Sequence, residues 1–441
     1  MQTPASIKRY WIIILTLLLF NRRLIYFSYS NNKNQFNNKK DILKLVHSVN
    51  NNNSFSKNNF KSLANGVFQA EGHIGGYFLK SKSINFRPIV FIGLIANEET
   101  IKFLVILNNE LHSKMQYSIE KLPSQFYFLK LYSRDWDFIL NTFIPYFNEV
   151  HGDKYFRLKR LEKIYSLLSE YKLYNKNEII EKIVVLAYNL IDNSKRKISM
   201  DDFLFKWNIK TKLTIDFFKL DINSITINNY FLLGLILGDG YIYVSIRESK
   251  GLPWFIPFIK IGQKITNNNW LFLNNIKKIL EDQNIGVKVQ KQGHLYVLII
   301  ESINNVEKLI NWLPNEYKWW FWKKEKFILF RKSLLLMKEK IKYWQEAKII
   351  LLNLIYKINK YNKSMDYWLD IIYNYYYKSN NRGYISISKD QAWSVKLPIS
   401  IKPKVKYFFF KTYGTREKAL LEAIEYRNQK LNEWLIENNF K

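Results

Sequence analysis

The chain contains no cysteine, which excludes disulfides and any thiolate-bound zinc. Its five histidines are scattered without metal-ligand spacing. Acid is scarce: 37 Asp and Glu stand against 68 Lys and Arg, a formal net charge of +31. So large a surplus points to a polyanionic partner, nucleic acid first and an anionic membrane surface second. Long apolar runs are missing too. Residues 10–20 come nearest, with Thr16 the sole polar residue and Lys8, Arg9, Arg22 and Arg23 at the flanks. The run is too short to span a bilayer as a helix, which takes about 20 residues. A signal-like leader, a basic organellar leader and the translated flank of a host reading frame all fit it.

What is present is length, aromatic material and a repeat. The 441 residues suffice for two to three domains, and 17% aromatic residues supply a core despite the charge. Lys, Asn, Ile, Tyr and Phe dominate; their codons are AT-rich, so an AT-rich organelle, the mitochondrion first, is the expected location. The repeat is a phrase of ten residues. Leu63-Ala64-Asn65-Gly66-Val67-Phe68-Gln69-Ala70-Glu71-Gly72 is matched by Phe231-Leu232-Leu233-Gly234-Leu235-Ile236-Leu237-Gly238-Asp239-Gly240. The acids lie 168 positions apart (239 − 71).

Read as helices, each phrase puts two small residues four apart on one face: Gly66 with Ala70, and Gly234 with Gly238. Two such faces can meet backbone against backbone. Gly72 and Gly240 fit helix C-caps, where a left-handed conformation costs glycine little. Glu71 and Asp239 then fall in the last turns of adjacent helices. Those ends already carry partial negative charge, so a carboxylate there calls for a cation. Hard oxygen ligands suit Mg²⁺, or Mn²⁺, which completes its shell with water and phosphate oxygens. Such an ion can stabilise attacking and leaving oxygens in phosphodiester cleavage. Either phrase alone reads as well as a glycine-capped core helix; the pair, in so basic a chain, favours chemistry.

The text after each motif replays one order of elements. Alternating apolar residues predict strands at 73–80 and 86–95, a helix at 98–111, strands at 115–119 and 126–132, and helices at 136–147 and 158–170. The second copy predicts strands at 241–247 and 258–265, a helix at 269–283, a hairpin of 287–291 with 295–300, and helices at 306–312 and 318–338. The reading is α+β: a leader and polar linker at 1–60, a first half at 61–170, a helical bridge at 171–228, a second half at 229–338 and a helical connector at 339–381. A short helix is expected near 41–49. Outward faces of the two sheets should be basic, and side by side they would form a saddle for a duplex. Arg87, Lys130, Arg247, Lys260, Gln263, Lys288, Gln290 and Lys291 are the candidate DNA contacts, reading base edges or holding phosphates.

Both phrases resemble the signature of LAGLIDADG homing endonucleases in the single-chain, two-motif form, over roughly residues 62–168 and 229–338. The resemblance implies two pseudo-symmetric αββαββα halves joined at the signature helices, with Gly66, Ala70, Gly234 and Gly238 in the interface. It implies that the last acid of each motif, Glu71 and Asp239, binds the catalytic metal. The earlier acidic position of the phrase is Gln69 in one motif and Leu237 in the other, and Glu71 replaces the usual aspartate. A lysine near the site is common in the family; Lys154 and Lys318 occupy plausible places. The activity implied is site-specific, intron-encoded cleavage of double-stranded DNA with a stagger, by a monomer needing no stable protein partner. The alternatives are an RNA maturase acting on a group I intron, a non-catalytic DNA-binding relic and, more weakly, a membrane-associated protein.

The last segment, 382–441, changes character. Three strands are predicted at 383–388, 392–397 and 405–410, then a helix over 416–434. The stretch 382–411 has seven basic residues and one acid, Asp390, whereas 415–437 is near neutral. A small basic three-stranded sheet backed by one helix would present its sheet to phosphate. The pattern resembles an AP2-type DNA-binding domain, and by that resemblance Tyr384, Ser386, Trp393, Lys396 and Lys406 would touch DNA.

Overall fold

The computed structural model describes residues 36, 38–49, 55–79, 85–174, 177–190, 199–205, 227–249, 251–339, 345–378, 385–388, 391–396 and 405–438. Residues 10–20 and Tyr384 lie outside them. Among the described residues no helix is long and apolar enough to cross a membrane.

Two compact units divide the chain. The first comprises Met1–Asn53 and Ile92–Tyr132. It holds α1 (Lys39–Ser48), the end of β2 (Asn85–Ile95), α3 (Glu98–Glu110), β3 (Gln116–Lys121) and most of β4 (Tyr127–Ser133). Asn97 opens α3 with a capping box: its side chain accepts from the Thr100 N–H, and the Thr100 hydroxyl accepts from the Asn97 N–H. Ile101 and the unbroken run Phe103–Leu107 of α3 are buried, as are Ile42 and Val46 of α1.

The second unit comprises Ser54–Phe91 and Ser133–Lys441. It begins with α2 (Lys57–Glu71), which carries the first motif, and β1 (Gly72–Leu79). Helical turns at 136–146, with a π-helical stretch at Ile139–Phe143, lead into α4 (Gly152–Tyr174); α5 (Asn177–Tyr188) and α6 (Met200–Phe205) follow. The second motif is α7 (Asn229–Asp239). The repeat then runs β5 (Gly240–Ser249), β6 (Leu252–Lys264), α8 (Asn267–Asp282), β7 (Lys288–Gln292), β8 (Leu295–Glu301), α9 (Ile303–Trp312), a 3₁₀ turn at Tyr317–Lys323 and α10 (Lys324–Lys338). The two four-stranded sheets share one topology, β1-β2-β4-β3 and β5-β6-β8-β7. That is the duplicated α+β unit expected from the order of elements.

α7 is apolar all round, and Phe231–Leu237 are buried, as an encircled helix requires. Its Asn228 cap accepts from the Phe231 N–H at 2.8 Å. α2 and α7 pack on each other along their lengths. A Cβ placed on Gly66 would lie 2.0 Å from the Phe231 carbonyl oxygen, and one on Gly234 would lie 2.0 Å from that of Leu63. The contact is reciprocal and backbone to backbone, so only glycine fits. Gly72 and Gly240 correct the expectation of left-handed caps: both are extended, at φ −71° and −78°. They are glycines for lack of room, since a Cβ would meet the Phe68 ring at 2.0 Å and the Ile236 carbonyl oxygen at 2.4 Å.

β6 starts six residues earlier than expected (258 − 252), with Pro253 and Pro257 inside it. β8 begins pairing only at Phe258, so the proline-bearing end is an edge, where no donor is needed on that side. The Pro253 carbonyl there accepts from the buried Lys348 of α11 (Gln345–Ile358) at 3.1 Å. The other edge, β5, is covered: Tyr361 donates to the Val244 carbonyl and Asn359 to that of Ile242 at 3.2 Å. The expected helix at 318–338 is interrupted. Phe321, inside the 3₁₀ segment, has φ 33° and ψ −125°, a kink just ahead of α10.

α12 (Met365–Lys378) completes the connector. The last module is a three-stranded sheet of order β11-β10-β9, from β9 (Ile385–Ser388), β10 (Ala392–Lys396) and β11 (Val405–Phe409). A short turn, α13 (Phe410–Tyr413), precedes α14 (Arg416–Glu437), capped by Thr415.

Candidate active site

The C-terminal ends of α2 and α7 deliver Glu71 and Asp239 to one place. A Cβ on Gly238, next to Asp239, would touch the Ala70 Cβ at 2.2 Å and the Glu71 Cγ at 3.2 Å. Burial, then the charge of Asp239, pushes the Glu71 carboxyl above its ordinary range; Lys154 and Lys323 pull it back. Burial also pushes Asp239 up, against Lys154, a hydrogen bond from Gln263 and Lys323. Two desolvated carboxylates that repel each other want a cation between them.

Two half-buried lysines, their ammonium groups desolvated, stand behind them. The Lys154 ammonium donates to the carbonyls of Phe68, Gln69 (2.8 Å) and Ala70 (3.2 Å). The Lys323 ammonium donates to the carbonyls of Ile236 (2.6 Å) and Gly240. Each therefore caps the last turn of a signature helix, where free carbonyls concentrate negative charge. Burial depresses Lys154 to about 7, opposed by Asp239 and Glu71. It depresses Lys323 to about 8, with Lys326 adding to the fall. Trp322 reinforces the second cap by donating to the Leu237 carbonyl at 2.9 Å.

Polar residues within the first motif position Lys154. Asn65, fully buried, donates to the Tyr146 carbonyl (2.9 Å) and accepts from the Glu149 N–H (3.0 Å). Gln69, at the family's earlier acidic position, accepts from the His151 N–H at 2.8 Å. A cavity lined by Ala70, His73, Lys154, Arg157, Asp239 and Gln263 opens at the helix ends.

Not every expected residue reaches the place foreseen. Lys318 is half-exposed at the start of the 3₁₀ turn and pairs with Glu316 at 2.7 Å; Lys323 takes the place by the carboxylates. A signal was available: Lys154 follows Glu71 by 83 residues (154 − 71) and Lys323 follows Asp239 by 84 (323 − 239), whereas Lys318 follows by 79 (318 − 239). Gln263 is 8% exposed and donates to Asp239 Oδ2, so it serves the carboxylate and not an outer sheet face. Pairing explains this. Gln263 opposes Tyr296, which opposes Lys291, so Gln263 and Lys291 share the inner face of the second sheet. Arg247, Lys260, Lys288 and Gln290 share the other, with Arg247, Lys288 and Gln290 exposed. There the Lys260 ammonium lies over the Tyr243 and Phe258 rings at 5.3 and 5.5 Å, and Lys288 pairs with Glu301. Arg87 is exposed on β2; Lys130 pairs with Glu120 across β3 and β4.

In the last module Trp393 is 4% exposed, opposite Phe408, and donates to the Arg416 carbonyl at 2.9 Å. It is a packing residue between sheet and helix, which corrects its assignment as a DNA contact. Lys406 points the same way, its ammonium 4.0 Å from the Tyr426 ring of α14. Lys396 ends β10 and Ser386 lies in β9.

The oxygen donors fit a hard divalent ion. Among the described residues there is no group of three or more His, Cys, Asp or Glu that could hold a metal; an ion held by Glu71 and Asp239 would draw its other ligands from water and phosphate. Mg²⁺ is bound in that way.

No family model matches the chain, and no curated protein does. Solved structures do. The structure of the I-LtrWI LAGLIDADG homing endonuclease bound to target DNA aligns at a TM-score of 0.55, with 18% identity, over 69% of this chain and 99% of that one. The structure of I-SmaMI bound to uncleaved DNA target in the presence of calcium ions aligns at 0.53, with 15% identity, over 68% and 99%. I-SmaMI bound to cleaved DNA aligns at 0.53, with 15% identity, over 69% and 98%. The chain thus has the fold of the LAGLIDADG homing endonucleases, with additional residues beyond it.

Proposed function

We propose that the protein is a site-specific DNA endonuclease of the LAGLIDADG homing type, carried by an intron of an AT-rich organellar genome such as the mitochondrial one. One observation carries the reading. Two signature helices meet backbone to backbone and bring Glu71 and Asp239 together, with a half-buried lysine behind each. The neighbours in fold are bound to double-stranded DNA, and a net charge of +31 suits that partner.

A bound Mg²⁺ or Mn²⁺ would neutralise the scissile phosphate and ease deprotonation of the attacking water. Glu71 and Asp239 would hold it through their carboxylate oxygens. Gln263 holds Asp239 Oδ2 by its hydrogen bond and would so orient the carboxylate that holds the ion. Lys154 and Lys323 hold positive charge at the helix ends, where phosphate has to approach. One chain carries both motifs, so a monomer suffices for two cuts, staggered across the minor groove. Arg247 and Gln290 on the outer face of the second sheet, and Arg87 on β2, would contact the duplex. The terminal sheet, AP2-like in its order of three strands and a helix, would add affinity.

The test is incubation of the purified protein with a library of duplex targets and Mg²⁺, followed by mapping of the ends. Discrete paired ends that disappear with Asp239→Asn are expected. No cleavage, or cleavage unaffected by Asp239→Asn, overturns the proposal.

A further inference from the structure

The turn that introduces each lysine is left-handed in both repeats. Gly152 has φ +54° and Phe321 has φ +33°. Each precedes its lysine by two residues (154 − 152 and 323 − 321). A residue with a β-carbon seldom adopts this region, yet Phe321 does so at 1% exposure, stacked on Phe55 at 5.6 Å. Both repeats thus carry a positive φ two residues before the lysine, on glycine in one and on phenylalanine in the other. Glycine takes such a φ without strain, so the strain lies at Phe321 alone.

In the first repeat the turn is gripped by the second. The Asp153 N–H donates to Asn269 Oδ1 at 3.3 Å. The Asp153 carboxylate accepts from Asn268 at 3.1 Å and from Asn269 at 3.5 Å. Asn269, in α8, is 5% exposed and also donates to the Lys264 carbonyl at 3.2 Å. A Cβ on Gly152 would lie 2.6 Å from Asn269 Oδ1, so the close approach and the left-handed φ both require glycine. From the other side Asn65 and Gln69 hold Glu149 and His151. Lys154 leaves a segment clamped at both ends.

We infer that Asn269 is a positioning residue for Lys154: its buried amide holds the Gly152–Asp153 turn that places the ammonium at the end of α2. A helix of the second repeat thereby sets the lysine that serves the first motif. This rests on the nuclease reading for its consequence and on the hydrogen bonds alone for its geometry, so two readouts are needed.

Full-length Asn269→Ala is compared with Asn274→Ala, whose amide donates to the Trp270 carbonyl on the exposed side of the same helix. Gly152→Ala, which pushes a methyl against Asn269, is the second variant should Asn269→Ala fold poorly. First, lysines are acetylated with an N-hydroxysuccinimide ester and mapped by peptide mass spectrometry. Lys154 labelling is expected to rise severalfold in Asn269→Ala and Gly152→Ala, with Lys323 unchanged and Asn274→Ala like wild type. Second, single-turnover cleavage is measured on the duplex that the wild type cuts in the library. One strand should be cut about tenfold or more slowly, the other at the wild-type rate, with DNA affinity unchanged. Lys154 labelling in both turn variants equal to that in Asn274→Ala overturns the inference, whether or not the protein cuts DNA. Equal slowing of both strands, or a matching loss of affinity, overturns it as well. Raised labelling with no duplex cut even by wild type supports the clamp and overturns the nuclease reading.

Discussion

Substituting alanine for the interface glycines tests the helix contact on which the site is built. A methyl on Gly66 would sit 2.0 Å from the Phe231 carbonyl oxygen and 2.8 Å from the Leu235 nitrogen. Ordinary C···O approach is about 3.3 Å or more, so roughly 1.3 Å is missing. The obstructing atoms belong to a helix backbone and cannot rotate aside, so α2 and α7 have to separate along the whole seam. Overpacking costs about 1–3 kcal/mol where side chains can yield; here the cost should be about 3 kcal/mol or more. The better helix propensity of alanine offsets about 1 kcal/mol of it. Gly238 differs, because its would-be methyl meets a side-chain atom, the Ala70 Cβ, at 2.2 Å. Gly238→Ala alone should cost about 2 kcal/mol. The swap Ala70→Gly with Gly238→Ala moves the methyl from one helix to the other and should return to within about 1 kcal/mol of wild type. The assay is urea unfolding, read as midpoints at a common slope. Gly66→Ala or Gly234→Ala with a wild-type midpoint, or a swap no better than Gly238→Ala alone, refutes the backbone-to-backbone contact.

Three further outcomes follow from the site. Glu71→Gln and Asp239→Asn should each raise the metal-free melting temperature, because each removes one of two carboxylates that repel each other at the helix ends, while abolishing cleavage of at least one strand and leaving DNA binding intact; calorimetry and a nicking assay read both. Lys323→Met should slow cleavage and Lys318→Met should not, since only Lys323 caps a signature helix; wild-type rates in Lys323→Met would remove it from the site. Lys154 is depressed to about 7 in the folded chain, so between about pH 7 and 10.5 the unfolded chain holds the extra proton. Stability contributed at this group should rise with pH across that window, by at most about 5 kcal/mol, and stay flat below it. The carboxylates act oppositely and at lower pH, because raised values make stability fall as they ionise. Melting temperature against pH should lose the alkaline rise in Lys154→Met; an unchanged profile would contradict the assignment.

Much of the site was legible because it depends on local text. The paired phrases placed both carboxylates and all four small interface residues, and Lys154, named from the family resemblance, caps the end of α2. Other assignments went astray for identifiable reasons. Lys318 was chosen on a continuous helix, and the left-handed Phe321 breaks that helix. Lys260 and Gln263 were given one sheet face, yet residues three apart in a strand face opposite ways, as do Gln290 and Lys291. The paired register then turns Gln263 inward to Asp239. Trp393 looked like a contact in a basic stretch, and its register opposite Phe408 buries it.

The linear text by itself determined the duplication, the basic character, the order of elements and the chemistry of the donors, since each depends on composition or on neighbours in sequence. Only the tertiary structure decided which carbonyls each lysine meets and that Asn269 grips the turn before Lys154. Those depend on atoms brought within about 3 Å from positions more than 80 residues away, as for Lys154 with the carbonyls of the first motif and Lys323 with those of the second. The matched spacing of the two lysines after their acids is visible in the sequence, but the partners they meet are not; folding alone brings those atoms together.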